Sequence, residues 1–488
     1  MVFSSPVFLF IFLPACLLAA LVAAGLDRAI AAGRGARRGD AIGHRVQNLV
    51  LLTFSTVFYL YGSGKHLLVM IAAIAVSYIA GLLLARPGSR RTPILVVAVA
   101  IQIMALAFFK YAGFLHGEVA AVAFRFNIAL PPLPPVVLPI GISFFVFQSV
   151  SYVVDVYRDD ARAQRNPFDL ALYIILFPQL IAGPIVRYTH VELELARRRT
   201  PLDVVARGAV RFIYGLSKKV LVADSVAVLA DAAFALPAAE LTTPAAAIGA
   251  LAYTLQIYFD FSAYSDMGIG LGHMFGFRFP ENFNRPFSAT SITDFWRRWH
   301  ITLSTWFRDY VYRPLGGSLG SSAQTYRNLW IVFLLSGLWH GASWTFVAWG
   351  AFHGALLTIE RLLGFHSVAP AKAWRRAVTF VLVVLGFTLF RAESFPQAIS
   401  FYGQLLWPTD WSLPITVIEE LSPRNLSFAA VACASLFFSP SFVVGRFLEE
   451  CNDTVAHLAR LSIVTIAATM TASVIASSNF SPFIYFRF

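Results

Sequence analysis

The 488 residues predict an all-α, polytopic membrane protein, and three observations carry that reading. Hydrophobic residues make up 58% of the chain and charged residues 13%, about half of the roughly 25% found in a water-soluble domain. Mean hydropathy is +0.68. The apolar residues also fall in runs long enough, or nearly so, to cross ~30 Å of hydrocarbon, with basic residues gathered between them. A water-soluble enzyme is excluded. The formal net charge of +12 then reads as topology, because Arg and Lys stand in short groups between runs rather than along one basic face suited to nucleic acid. Cys16, Cys433 and Cys451 are too far apart for a C-x-x-C pair and too few for a disulfide framework.

The first apolar run, 2–26, has no basic residue before it and Arg28, Arg34, Arg37 and Arg38 after it, which predicts a retained span with the N-terminus outside. Runs at 46–61, 67–84, 94–115 and 136–157 follow. Arg86, Arg90 and Arg91 come after the third run and Arg158, Arg162 and Arg165 after the fifth, so five crossings obey the positive-inside rule. The next run, 168–186, breaks the alternation, since Arg187 and Arg197 to Arg199 return its far end to the basic side. Pro178, Gly183 and Pro184 interrupt it, and broken helices at membrane depth survive only inside protein or along a cavity. It reads as re-entrant, the first pointer to an internal chamber. Spans at 208–236 and 245–271 come next, then a polar, aromatic stretch at 275–326.

The run 329–339 is only half a span and 344–359 is short, with Arg327 before them and Arg361, Lys372, Arg375 and Arg376 after. A helical hairpin turning near 340–343 satisfies both facts. Final spans are expected at 378–390, 426–438 and 461–476, for a total of roughly ten to thirteen crossings. No internal repeat is visible. One membrane-embedded domain is expected over 1–488, with N-terminal spans at 1–135, a core holding the re-entrant elements at 136–365 and C-terminal spans at 366–488.

Absent signatures narrow the chemistry. There is no G-x-x-x-x-G-K-[ST], no D-x-D and no H-x-x-x-x-D, which removes most of the weight from ATPase and common sugar-transferase readings. His300, His340 and His353 instead fall close together where aromatic density is highest. His340 sits at the inferred apex of the hairpin, where an ionisable side chain is costly and usually faces a cavity. An imidazole there can take a proton from a hydroxyl and pass it to a leaving group; a hydrogen-bonded core histidine is the alternative.

His300 ends Phe295-Trp296-Arg297-Arg298-Trp299-His300. On a continuous helix Trp296, Trp299 and His300 would share one face. Arg297 and Arg298 could then hold the phosphates of a nucleotide-bearing donor, or the segment could be an interfacial helix with Trp and Arg at headgroup level. His353 reads as packing. No metal site is expected, because His300 and His340 lack short ligand spacing and flanking carboxylates. Asp260 and Asp266, six apart in an apolar span, read as structural.

Ordered motifs across most of the chain resemble the membrane-bound O-acyltransferases, in particular their bacterial alginate O-acetylase branch. They run from Met1-Val2-Phe3-Ser4-Ser5 through Leu138-Pro139-Ile140-Gly141-Ile142-Ser143-Phe144, Phe177 to Pro184, Tyr258 to Asp266 and Glu281-Asn282-Phe283. The most specific are Phe295 to Ser304 and Gly337-Leu338-Trp339-His340-Gly341-Ala342, and Phe390-Arg391-Ala392 closes the match. Ser343 stands where that family often has Asn, and Ala263 where Gly is frequent. The resemblance implies re-entrant helices around a central tunnel, with catalytic residues at His340, as base, and at His300. Trp296, Arg297, Arg298 and Trp299 are the expected donor-binding residues. It further implies acetyl-CoA as acyl-donor substrate with no bound cofactor, a location in the inner (cytoplasmic) membrane, and delivery to a polysaccharide hydroxyl or a periplasmic acetyl-relay protein. From the residues alone, a transporter or flippase and a non-catalytic subunit of a polysaccharide secretion complex are the competing classes.

Overall fold

The computed structural model describes residues 1–33, 44–198, 200–365, 373–436, 454–477 and Phe483. Arg34, Arg37, Arg38, Arg199, Lys372 and Cys451, together with the end of the run expected at 426–438, lie outside the described residues. Every regular element among the described residues is helical. Four stretches are long and apolar enough to cross a membrane: Phe8–Gly33, Arg45–Leu84, Arg91–Phe124 and Ala373–Arg391. The chain is a multi-pass membrane protein. The other long helices carry polar and ionisable residues that dilute their hydropathy without shortening them.

The chain divides into two compact units. The first holds Phe3–Gly208 and Gly268–Pro280. After a wide turn at Phe8–Phe12 come α1 (Leu13–Gly33), α2 (Arg45–Ser63), α3 (Leu67–Leu84), α4 (Arg91–Phe124) and α5 (Ile142–Tyr157), close to the runs read from the sequence. Val96, Met104, Phe108 and Leu115 of α4 are exposed, a liability in water that costs nothing against acyl chains.

The run at 168–186 is broken as expected. It forms α6 (Pro167–Ile175) and one turn, α7 (Phe177–Leu180), and then continues without helix to Arg187, buried nearly throughout. Three of its backbone groups are satisfied by buried side chains, as burial demands. Gln179 Nε2 donates to the Tyr173 carbonyl at 2.6 Å, the Tyr173 hydroxyl to the Val186 carbonyl at 3.0 Å, and the Phe177 amide to Ser55 Oγ at 3.2 Å. Phe177 is wedged among Phe12, Phe58 and Phe275, with ring centroids 5.3–5.7 Å away. Gly141, at φ 72°, has the Leu180 carbonyl oxygen 2.6 Å from where a Cβ would stand, so both its conformation and its neighbour require glycine. After α8 (Tyr188–Ala196), Arg198 donates to Asn48 Oδ1 at 2.6 Å and lies over Phe277.

The second unit holds Ala209–Met267 and Glu281–Phe488. Its helices include most of α9 (Leu202–Ser217), a wide-turn segment at Lys218–Ala223, α10 (Asp224–Phe234) and most of α11 (Thr243–Met274). The polar stretch folds into α12 (Ile292–Arg298) and α13 (Ile301–Phe307). The hairpin is α14 (Ser322–His340) and α15 (Trp344–Leu362), followed by α16 (Ala373–Arg391). The half-span reading is corrected here: α14 has 19 residues, about 28 Å at 1.5 Å per residue, because the helix continues through Gln324, Arg327 and Asn328. Then come α17 (Phe395–Leu406), α18 (Ile415–Glu420), α19 (Pro423–Ser435) and α20 (Thr454–Ser477).

Candidate active site

Glycine lets the two arms of the hairpin approach closely. A Cβ on Gly337 would strike the Phe346 carbonyl oxygen, one on Gly350 the Phe333 carbonyl oxygen, and one on Gly341 the Phe346 ring. Small residues of this kind are how helices pack tightly where the hydrophobic effect cannot press them together. The turn is Gly341-Ala342-Ser343, where the sequence placed it. Ser343 N-caps α15, its hydroxyl accepting from the Thr345 amide at 3.3 Å, so the serine found at a frequent asparagine position has a local function.

His340 is the last residue of α14 and is 6% exposed. Trp339, Trp349 and Phe390 surround its ring, with centroids at 4.9, 5.0 and 5.1 Å and nearly perpendicular planes. Such a cage fixes the plane of an imidazole through edge-to-face contact and excludes water. Phe390 comes from α16, so three helices build the cage.

The expectation of one continuous helix through Trp296, Trp299 and His300 is overturned. α12 stops at Arg298, Trp299 is extended (φ −99°, ψ 128°), His300 is left-handed (φ 42°, ψ 55°), and α13 starts at Ile301. The three rings therefore go to different places. Trp296 lies against Trp349 and Phe333 and donates its indole N–H to His353 Nδ1 at 3.4 Å. Trp299 stacks on Phe295 and touches Phe283 and Phe387. His300, with no exposed surface, meets the Phe261 ring at 4.6 Å and the Trp339 ring at 6.2 Å. Trp339 is thus a common neighbour of the two histidines, 6.2 Å from the His300 ring and 4.9 Å from that of His340. Burial pushes the His300 imidazole down to about 3, so it is neutral at ordinary pH. Arg297 is exposed, whereas Arg298 pairs with Asp294 at 2.8 Å.

Residues read as topology or passed over by the sequence reading hold this segment. Glu360, at the far end of α15, accepts the amide N–H groups of Ile292 and Thr293 and the Thr293 hydroxyl. It satisfies orphan donors at the start of α12 and ties the His300 segment to the hairpin. Arg375 Nε donates to the Thr290 carbonyl and Arg376 Nε to the Phe287 carbonyl, each at 3.1 Å. An E-R pair ending a helix carries no sequence signal for such a long-range cap.

Asp260 and Asp266 are ion-paired. Lys219 Nζ lies 2.9 Å from Asp260 and 2.7 Å from Asp224, and Lys218 Nζ 2.7 Å from Asp266. Arg211 bridges Asp266 at 3.0 Å and Glu281 at 2.6 Å. Each buried charge has an opposite partner, the condition for tolerating it in an apolar surrounding. No cluster of three or more His, Cys, Asp or Glu side chains able to hold a metal occurs among the described residues.

The class of this helical membrane chain is identified by sequence comparison. Residues 132–395 match the model of the membrane-bound O-acyltransferase family. The chain belongs to that family and is an O-acyltransferase, which displaces the transporter and scaffold readings. It is 40% identical over its full length to the whole "probable alginate O-acetylase" of Azotobacter vinelandii. It is 44% identical to the protein of the same description in Pseudomonas aeruginosa, over 97% of this chain and 87% of that one. It is also 31% identical, over 100% of this chain and 98% of that one, to the peptidoglycan O-acetyltransferase of Helicobacter pylori.

Proposed function

We propose that the enzyme takes an acetyl group from cytoplasmic acetyl-CoA and delivers it across the inner membrane for O-acetylation of an exopolysaccharide such as alginate, through periplasmic partner proteins. The observation that carries the chemistry is His340, buried at the hairpin apex among Trp339, Trp349 and Phe390. The full-length similarity to alginate O-acetylases supports the acceptor class. Similarity to a peptidoglycan O-acetyltransferase makes a cell-wall polymer the second reading.

In this mechanism neutral His340 withdraws the proton of the acceptor hydroxyl as its oxygen attacks the thioester carbonyl. The C–O bond forms, the C–S bond breaks, and the proton passes from the imidazole to the departing thiolate, which leaves readily because thiol pKa values are low. His300 serves as the second catalytic-site histidine, with Trp339 as a neighbour in common with His340. Arg297 and Arg298 hold the donor's phosphates as charge-assisted hydrogen-bond donors, and Trp296 and Trp299 anchor the short helix that presents them. Donor and acceptor meet in a tunnel, so the acyl group crosses while the bulky CoA stays inside. Holding the two in line accounts for several kcal/mol of the barrier, up to about 7–11 for ideal geometry.

Radiolabelled acetyl-CoA turnover by the purified protein in nanodiscs tests this, with His340→Ala and His300→Ala at matched folding. Loss of about 10²-fold or more in His340→Ala is the expected result. Equal turnover in wild type and His340→Ala overturns the assignment of the base.

A further inference from the structure

Asn282 determines which nitrogen of His300 carries the proton. Its Oδ1 is 3.3 Å from the Thr302 backbone nitrogen, 2.8 Å from the Thr302 hydroxyl and 3.0 Å from His300 Nδ1, and its Nδ2 faces Ser265 Oγ at 3.1 Å. A backbone N–H can only donate, so the atom facing Thr302 is the amide oxygen and not the amide nitrogen. That oxygen can only accept. His300 Nδ1 therefore bears the hydrogen, and in a neutral ring Nε2 is left as a bare lone pair. Nε2 is fully buried and has no hydrogen-bond partner among the described residues, which leaves its lone pair open to a donor from outside the chain.

The surrounding backbone holds the same geometry. His300 occupies the left-handed region, rare for a residue with a Cβ, and the adjacent Ile301 amide donates to the Asn282 carbonyl at 2.9 Å. The Asn284 amide donates to the Arg298 carbonyl, also at 2.9 Å. Glu281, the residue before Asn282, is gripped at both carboxylate oxygens by Arg211, at 2.7 and 2.6 Å. Asn282 is thus fixed on its preceding residue, its carbonyl and both ends of its side chain.

We infer that Asn282 is a positioning residue for acyl transfer: it locks His300 as the Nδ1–H tautomer and so presents Nε2 to accept a hydrogen bond from a substrate hydroxyl or amide N–H. This rests on the acyl-transfer reading above. It adds a role for a residue that touches no reacting atom.

The test has two arms. In the first, protein carrying ¹⁵N-histidine is examined in nanodiscs by NMR, and the wild-type spectrum minus that of His300→Gln isolates the His300 ring. The expected ring has a protonated Nδ1 and a bare Nε2, and Asn282→Leu loses that preference. A wild-type ring protonated at Nε2, or an unchanged tautomer in Asn282→Leu, overturns the inference whatever the enzyme turns over. In the second arm, acetyl-CoA turnover is measured against pH. Asn282→Leu is expected to fall about tenfold or more. Asn282→Asp retains an acceptor for Nδ1–H, so it recovers turnover, with the acidic limb of the profile moved to higher pH because a carboxylate stabilises the imidazolium. A rise in KM for acetyl-CoA in Asn282→Leu identifies the donor's amide as the group bound at Nε2; a fall in kcat alone identifies the acceptor hydroxyl. Asn282→Asp no more active than Asn282→Leu, at matched thermal stability, counts against a positioning role. Absence of acetyl-CoA turnover in wild type with the expected tautomer present would fault the donor assignment and leave the tautomer lock standing.

Discussion

The two buried histidines are held in opposite ways. His340 stands at a turn between full-length helices, placed by three aromatic rings and by glycines that bring the helices together. His300 stands at a left-handed kink between two seven-residue helices, placed by Asn282, Thr302 and the Glu360 carboxylate that caps α12. Aromatic contacts constrain the plane of a ring and say little about which nitrogen is protonated. An amide oxygen constrains the protonation itself. In the mechanism proposed above His340 gains and loses a proton in each cycle, which the first environment permits, and His300 keeps one tautomer, which the second enforces.

The contrast breaks most severely at the hairpin. Gly337→Val or Gly350→Val drives a side chain into the carbonyl of the facing helix, and the expected loss is about 3 kcal/mol, the upper part of the range for overpacking. Thermal unfolding in detergent should show it as a large drop in Tm in either variant; a Tm unchanged in both would mean the arms are not in contact as described. A gentler perturbation separates the two histidines. Glu360→Ala leaves two amides at the start of α12 without their acceptor, at about 1–3 kcal/mol. Hydrogen exchange should accelerate in α12 and α13 and leave the apex at His340 unchanged; equal acceleration at both sites would show that they are one mechanical unit.

The smallest effect concerns pH. The folded-state value of His300 is about 3, below the ordinary 6.5, so the unfolded chain binds the extra proton between those values. The contribution of the neutral ring to stability is fully present above pH 6.5 and declines as pH falls toward 3. His300→Gln should flatten the fall of Tm between pH 6.5 and 4. A fall of the same slope in the variant would place the titration elsewhere.

Much of this was legible in the chain. The run at 67–84 is a helix with those same ends, the broken segment near Pro178 is broken, and the hairpin turns at Gly341–Ser343. Each has a local cause in apolar length, proline, or a serine cap after glycine. The kink at Trp299–His300 was not legible, because Trp-Arg-Arg-Trp-His contains no helix breaker and the break is imposed by Asn282, eighteen residues earlier. The half-length reading of α14 failed for a related reason: a helix stabilised by its partner continues past the end of its apolar run. Arg375 and Arg376 read as charges at a membrane boundary and Glu360 had no reading, and nothing in their neighbours signals that they reach the segment before His300. Asn282 was visible within a motif but without a role, since its partners are remote in sequence.

The ion pairs on α11 have a mechanical consequence. Lys218 and Lys219 are adjacent on one wide turn, and they engage Asp266 and Asp260, almost two turns apart on the long helix. Two pegs from one plate set into two holes along a shaft form a key: the shaft can neither spin nor slide past the plate unless both pegs withdraw together. Lys218–Ala223 and the facing part of α11 are therefore coupled, and a displacement of one along the other has to break both ion pairs.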